Sequence, residues 1–190
     1  MTRDELNKLF EYAMIFLNNL NIRPILFYGS LLGYHRENNF IEGDHDIDML
    51  VTREQLQIIR KNTIGNKTSG IGDIYTYATT PYVRILFGKE GVDFYQYEII
   101  EDKLYIEWDG GLIYQRNDIF PLQSVHFQNH IIHIPNNPEK VICDTYGDGW
   151  RIPLKTEEYD WHEITKVQLV GKITSGLGFR NGRIRLKFSS

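Results

Sequence analysis

The chain of 190 residues carries 21 Lys and Arg against 25 Asp and Glu, a formal net charge of -4, and 42% of its residues are hydrophobic. This composition is typical of one ordinary globular domain, and the negative net charge argues against a general nucleic-acid coat. The single cysteine, Cys143, excludes an internal disulfide. Because no apolar run reaches the ~20 residues needed to cross a bilayer and no signal-peptide segment opens the chain, we expect a cytoplasmic protein.

The first predicted element is an amphipathic helix. Thr2 followed by Glu5 indicates a capping box, and apolar residues recur at helical spacing from Leu6 onwards. A strand is then predicted from Ile25 to Tyr28. We expect the helix to cover one face of the sheet to which this strand belongs.

A glycine–serine pair follows that strand. Gly29 and Ser30 lie between the strand and a predicted helix N-terminus, where unpaired backbone N–H groups and the helix dipole favour an anion. A bound phosphate is therefore one interpretation of the pair. An ordinary turn is the other, because a lone glycine–serine pair is usually only a turn.

The next strand carries two carboxylates at alternate positions. Because successive side chains of a strand alternate between faces, Asp46 and Asp48 project to the same side, and Ile47, Met49 and Val51 face the other. Two like charges at alternate positions on one face of a strand repel unless a cation offsets them, and carboxylate oxygens suit Mg²⁺ or Mn²⁺. The pattern predicts a divalent metal site, although acidic pairs at strand ends are more often solvated.

A helix and a series of strands follow the acid pair. Thr52 and Gln55 indicate the cap of a helix that runs to about Lys61. Gly88 and Gly91 bracket a predicted hairpin turn. Strands are predicted over residues 74–78, 82–87, 92–100, 103–107, 112–115, 125–127 and 131–134.

The last predicted elements are a helix and a basic hairpin. Asn137 and Pro138 predict a capped helix that Gly147 ends. Residues 157–166 fit a further helix, and residues 179–188 fit a two-stranded hairpin rich in arginine and lysine. A solvated, charged sheet edge is the default interpretation of this hairpin, and a surface for a polyanionic acceptor is the alternative.

Residues 28–51, YGSLLGYHRENNFIEGDHDIDMLV, resemble the LicD/fukutin-type phosphotransferase family of the nucleotidyltransferase-fold superfamily. The shared signature is the glycine–serine pair followed by the two alternate acids. Further similar segments lie at residues 120–122, 125–127 and 146–153, so that the resemblance covers about residues 26–153.

The resemblance implies an α/β (α+β) fold in which a nucleotidyltransferase-like mixed β-sheet is flanked by helices, with additional β-hairpins towards the C-terminus. We expect residues 1–153 to form the catalytic domain and residues 154–190 to pack on it as a helix and hairpin extension. The resemblance also implies a metal-dependent transferase that moves a phosphate-linked group, such as phosphocholine or a polyol phosphate, from a CDP-type donor to a hydroxyl of a glycan, sugar or polyol.

The implied catalytic and metal-binding residues are Asp46, Asp48 and Asp93. In the family a third carboxylate comes from a neighbouring strand, and Asp93 is the candidate, either as a metal ligand or as the base for the attacking hydroxyl. A simple salt bridge between Asp93 and Arg84 is the alternative. Arg36 and Arg84 are the cations expected near donor phosphates, because a guanidinium engages two oxygens at once.

The sequence departs from the family pattern at His45, where the family frequently has an acid, and at Glu42-Gly43, where an aromatic residue is common. These departures leave the donor open. Two other functions also remain open: a nucleotidyltransferase that adds NMP from an NTP to a small molecule, protein or RNA, and a catalytically silent module that binds a nucleotide or a protein. No stable nucleic-acid partner and no membrane insertion are expected.

Overall fold

The computed structural model describes residues 2–63, 74–75, 81–87, 90–106, 112–153, 179–180 and 183–184. The helices are α1 (Arg3–Asn19), α2 (Tyr28–Glu37), α3 (Arg53–Thr63), α4 (Arg116–Ile119) and α5 (Pro138–Tyr146), followed by a 3-10 helix at Asp148–Arg151. The strands are β1 (Ile25–Leu26), β2 (Asp46–Val51), β3 (Ile74–Tyr75), β4 (Tyr82–Phe87), β5 (Glu90–Ile100), β6 (Lys103–Ile106), β7 (Leu112–Gln115), β8 (Gln123–Phe127), β9 (His130–Ile134), β10 (Phe179–Arg180) and β11 (Arg183–Ile184).

One mixed sheet organises the described part of the chain. Its strand order is β3-β4-β5-β2-β1-β9-β8, and β6 and β7 extend from the second half of β5. Strand β2 is parallel to β5 and antiparallel to β1, and β1 is parallel to β9. The predicted mixed sheet flanked by helices is confirmed.

Helix α1 begins at the predicted capping box. The Thr2 hydroxyl accepts a hydrogen bond from the Glu5 N–H at 3.3 Å, and the Glu5 carboxylate accepts one from the Thr2 N–H at 2.9 Å. In the middle of the buried face of this helix, Phe10 makes edge-on contacts with the rings of Phe40 and Phe127. This cluster joins α1, the loop after α2 and the β8–β9 hairpin.

The strand before the glycine–serine pair is shorter than predicted. β1 ends at Leu26 rather than Tyr28, and Gly29 and Ser30 lie in the first turn of α2. Tyr28 has a φ of 42°, a backbone conformation that residues with a side chain rarely adopt. The difference arises because the chain turns abruptly at Tyr28 from the sheet into the helix.

The strands predicted at residues 125–127 and 131–134 pair as the β8–β9 hairpin, and the predicted helix α5 is present. Gln128 and Asn129 have φ values of 47° and 63°, as a type I′ turn requires. Gly147 ends α5 with a φ of 80°. The predicted cap at Asn137 is wrong in one respect: its side chain makes no capping bond and instead donates to Asp118 Oδ1 at 3.4 Å.

The C-terminal extension is described in part. The helix predicted at residues 157–166 lies outside the described residues, whereas β10 and β11 pair within the predicted hairpin at 179–188. The division of the chain after residue 153 stays a prediction. Among the helices that the structure describes, none has the length and apolar character needed to cross a membrane.

Candidate active site

The register of two parallel strands brings the predicted acids together. Asp48 of β2 pairs with Asp93 of β5, and Asp46 pairs with Gly91. Since neighbouring residues in register point to the same face, the three carboxylates share one side of the sheet. Asp48 and Asp93 are 7% and 2% exposed, whereas Asp46 is half-buried. The cluster is therefore deepest at the Asp48–Asp93 pair.

The first turn of α2 packs directly on Asp48. The Gly29 N–H donates to Asp48 Oδ2 at 3.1 Å, and the Ser30 hydroxyl accepts from the Asp48 N–H at 3.0 Å. A Cβ atom added to Gly29 would lie 3.1 Å from Asp44 Oδ2 and 3.4 Å from Asp48 Oδ2. Glycine at this position thus allows two carboxylates to approach the start of the helix, and Asp44 becomes a fourth acid of the site.

The loop between α2 and β2 positions Asp44. A Cβ added to Gly33 would lie 2.6 Å from the Asn39 carbonyl oxygen and 2.9 Å from the Ile41 nitrogen, so the loop backbone rests directly on the helix. The Asp44 N–H then donates to the Ile41 carbonyl at 3.2 Å. This close contact fixes the path of the chain into β2 and therefore the place of the acids.

Three side chains from β4 and β5 surround Asp93. The Tyr82 hydroxyl donates to Asp93 Oδ1 at 2.8 Å, and Arg84 Nη1 lies 3.1 Å from Asp93 Oδ2 and 3.5 Å from Asp46 Oδ2. The Tyr95 hydroxyl lies 3.3 Å from Asp48 Oδ1 and 3.4 Å from Asp93 Oδ2. The salt bridge between Arg84 and Asp93 is present, and the same guanidinium also reaches Asp46.

Burial of several carboxylates together raises their pKa values. Burial raises the pKa of Asp93 to about 6, and burial together with the charge of Asp46 raises the pKa of Asp44 to about 6. The pKa of Asp48 is raised well above its usual value by burial and then by the charges of Asp46, Asp93 and Asp44. The site therefore carries more negative charge than the protein neutralises, and a bound cation would relieve it.

The donor atoms suit a hard divalent cation. In the conformation described, no group of three or more Asp, Glu, His or Cys side chains among the described residues could hold a metal ion. Part of the reason is that the oxygens of Asp93 already contact Tyr82, Arg84 and Tyr95. Mg²⁺ usually binds through one or two carboxylates, several waters and substrate phosphates rather than through a protein cage. Asp46 and Asp48 fit that kind of site.

Of the predicted phosphate-binding residues, Arg36 lies farther from the acids. Arg36 is in the last turn of α2, seven residues and ~10 Å along the helix from Gly29, and its Nη2 atom lies 3.6 Å from Glu37 Oε1. His45 is exposed in the loop before β2. The structure brings Arg84 to the acid cluster and places Arg36 at the opposite end of the helix.

Four tyrosines lie at the site in addition to the acids, the glycine–serine pair and the arginines that the sequence predicts. The rings of Tyr82 and Tyr28 each pack on Tyr95, with centroids 5.2 and 5.1 Å apart. Tyr146 of α5 is buried, and the charges of Asp48 and Asp44 add to burial in raising its pKa. The alternation of β5 could have placed Tyr95 on the face of Asp93, whereas Tyr82 required the β4–β5 register.

A comparison with protein families identifies the domain that holds this site. The model described as LicD/FKTN/FKRP, nucleotidyltransferase domain, matches residues 21–137, which is more than half of the chain. The chain belongs to the LicD family. The matched segment runs from before β1 to the start of α5, and it contains the four acids, the glycine–serine pair and Arg84. The resemblance stated from the sequence is confirmed.

Individual proteins similar to this LicD-family chain include a relative and a solved structure. The uncharacterised protein T07A5.1 of Caenorhabditis elegans is 23% identical over 197 aligned positions, which cover 94% of the chain and 51% of that protein. The chain thus spans about half the length of the curated relative it matches.

The solved structure is the lincosamide antibiotic adenylyltransferase LnuA with lincomycin bound. It superposes with a TM-score of 0.52 at 12% identity, over 85% of this chain and 96% of LnuA. This likeness shows the nucleotidyltransferase fold, as predicted. Together the family and the fold support a transferase of the LicD and nucleotidyltransferase kind.

Proposed function

We propose that this LicD-family domain is a metal-dependent transferase that moves a phosphate-linked group from a CDP-type donor to a hydroxyl of a glycan, sugar or polyol. The observation that carries the proposal is the pairing of Asp48 with Asp93 on adjacent parallel strands, with Asp46 on the same face. The start of α2 contacts Asp48 of this pair through the Gly29 N–H. Carboxylates and a helix N-terminus meeting at one point suit the cation and the phosphates of such a donor.

Asp46 and Asp48 are the proposed ligands of Mg²⁺ or Mn²⁺. Asp48 is held by Gly29 and Ser30 from the side of the helix and by Tyr95 from the side of the sheet. Asp46 is the more exposed of the two, since 31% of its side chain is accessible to solvent. When bound, the ion would offset the charge that develops on the transferred phosphate and orient it for in-line attack.

Asp93 completes the proposed site as a ligand or as the base for the acceptor hydroxyl. Its contacts with Tyr82, Arg84 and Tyr95 hold the carboxylate in one orientation. Its pKa of about 6, raised by burial, is nearer to neutral pH than that of an ordinary carboxyl group. Since a base works best when its pKa lies near the working pH, these features favour the role of base.

The donor phosphates are proposed to lie between the start of α2 and Arg84. Both ion pairs of Arg84 are made through Nη1, so its guanidinium has further N–H groups to offer a phosphate. The dipole of α2 favours negative charge at Gly29 and Ser30. Arg36 is proposed to bind a phosphate of a donor that extends to the far end of α2.

A panel of nucleotides tests this function. Thermal stabilisation with Mg²⁺ is measured for CDP-linked, UDP-linked and triphosphate ligands, since a ligand that binds the native state raises the melting temperature. We expect a CDP-linked donor to stabilise the chain most and to yield CMP when an acceptor is present. Release of pyrophosphate from an NTP would show a nucleotidyltransferase instead, and Mg²⁺-independent binding without turnover would show a silent nucleotide-binding module.

A further inference from the structure

The Arg84 side chain extends from β4 across strand β5 to contact Asp46 of β2. It stands on β4 opposite Asp93, whereas Asp46 stands on β2 beyond β5. Neighbouring strands lie ~5 Å apart, so an arginine on β4 must extend across β5 to contact a residue on β2. Its Nη1 atom nevertheless lies 3.1 Å from Asp93 Oδ2 and 3.5 Å from Asp46 Oδ2. The guanidinium therefore bridges the outer strands of the site.

Gly91 makes this crossing possible. It is the residue of β5 that pairs with Asp46 on one side and with Leu86 on the other. A Cβ atom added to Gly91 would lie 2.7 Å from Arg84 Nε and 3.0 Å from Arg84 Cγ, so the arginine side chain would have to shift. A glycine within a strand is unfavourable and often marks a close approach. Here the arginine side chain fills the space that a Cβ would occupy.

The Arg84 guanidinium lies where a metal cation could otherwise bind between two carboxylates. Four acids meet at the site, and the Arg84 charge lies against two of them, Asp46 and Asp93. Asp93 is 2% exposed, with Tyr82 on one oxygen and Arg84 and Tyr95 on the other. Phosphoryl-transfer sites with two metal ions place both ions between such carboxylates. In this chain the guanidinium already lies between two of the acids.

We propose that Arg84, lying over Gly91, takes the place of a second divalent cation, so that the site binds one ion rather than two. This inference rests on the proposed metal-dependent function. The bound ion belongs to Asp46 and Asp48, and the permanent charge of Arg84 supplies the positive charge between Asp46 and Asp93. Because arginine does not lose its proton near neutral pH, that charge is present before any metal or donor arrives.

Mn²⁺ binding to the EDTA-treated chain tests the inference by calorimetry and by metal analysis after gel filtration. The wild type is expected to bind one Mn²⁺, and Arg84→Gln is expected to bind two. Gly91→Ala, whose methyl group displaces the arginine side chain, is expected to bind a second Mn²⁺ as well. Metal-free Arg84→Gln should melt below the wild type, and Mn²⁺ should raise its melting temperature more than that of the wild type.

Matched variants control for the loss of an arginine and of a glycine. Arg53→Gln breaks an exposed ion pair with Glu98, and Gly149→Ala adds a methyl group that meets no non-neighbouring atom of the described residues within 4 Å. Both should bind one Mn²⁺ with wild-type affinity. If Arg84→Gln does not fold, Gly91→Ala and the wild-type stoichiometry still decide the outcome.

Two Mn²⁺ ions in the wild type would overturn the inference, as would a single ion in the folded Arg84→Gln and Gly91→Ala variants. A single ion in every variant leaves the proposed transferase intact and removes the inference alone. Failure of the proposed function gives a different result, namely no Mn²⁺ bound by the wild type.

Discussion

Asp48 and Asp93 lie side by side on parallel strands, and the hydroxyl of Tyr95 contacts both, at 3.3 Å from Asp48 Oδ1 and 3.4 Å from Asp93 Oδ2. Burial raises the pKa of each carboxyl. The single hydroxyl hydrogen of Tyr95 lies within reach of either carboxylate, and each donor to a buried charged acceptor lowers the cost of burying it. Tyr95 is therefore a positioning residue for the acid pair.

Replacement of Tyr95 by Phe tests that role. The ring contacts with Tyr28 and Tyr82 remain, but the two carboxylates lose a donor, so we expect the free energy of unfolding to fall by about 1–3 kcal/mol. Turnover should fall about tenfold with little change in donor KM, as expected when bound substrate is misaligned. Urea unfolding and steady-state kinetics measure the two effects. Tyr97→Phe, two residues along β5, serves as the control, and an equal loss in both variants would contradict the role of the hydroxyl.

The metal-free chain should become more stable as the pH falls from about 8 to about 5. Burial raises the pKa of Asp93 from 3.8 to about 6, so the folded chain binds a proton over a pH range in which the unfolded chain does not. This stabilisation is fully present below the unfolded value and is lost as the pH rises through about 6. For Asp93 alone, the difference between pKa values of 3.8 and about 6 corresponds to a free energy of about 3 kcal/mol. Asp44, whose pKa is also about 6, acts in the same direction.

Urea unfolding in EDTA across that pH range measures the effect. Asp93→Asn removes one of the titrating groups, so its free energy of unfolding should vary less with pH than that of the wild type. A parallel pH dependence in the two proteins would show that Asp93 does not titrate as described. Mg²⁺ should flatten the wild-type curve, because a bound cation favours the ionised carboxylates.

Gly29→Ala should weaken Mn²⁺ binding and leave the stability of the fold nearly unchanged. The added methyl group would lie 3.1 Å from Asp44 Oδ2, so Asp44 has to move by a few tenths of an ångström. Alanine is a better helix former than glycine, and the melting temperature should therefore stay close to that of the wild type. Mn²⁺ affinity, measured by calorimetry, should fall about tenfold, a change of ~1.4 kcal/mol. Wild-type Mn²⁺ affinity in this variant would show that the close approach to Asp44 is unimportant.

Several features of the fold and the site could be predicted from the sequence because they depend on local pattern. The alternation of Asp46 and Asp48 fixes their common face in any strand. The capping box at Thr2 and the turn at Gln128 and Asn129 are likewise set by residues close together in the chain. The resemblance supplied Asp93, and the parallel register then placed it beside Asp48.

Other features depend on register and on backbone geometry, which local pattern does not specify. The path of Arg84 over Gly91 requires the pairing of β2, β5 and β4 to be known residue by residue. The sequence predicts that Gly91 borders a hairpin turn and that the strand begins at residue 92, whereas Gly91 is already the second residue of β5. The sequence predicts that β1 ends at Tyr28, because Phe27 and Tyr28 continue its apolar pattern. In the structure β1 ends at Leu26, because the backbone turns at Tyr28.

The most direct test of the central claim is Mg²⁺-dependent release of CMP from the CDP-linked donor selected by thermal stabilisation, compared between the wild type and Asp46→Asn. Loss of a metal ligand removes several kcal/mol of transition-state stabilisation, so we expect a decrease in turnover on the order of 10³-fold in a variant that keeps its fold by circular dichroism. EDTA should reduce the wild type to the same level. Equal CMP release by the two proteins, or release that persists in EDTA, would contradict the account.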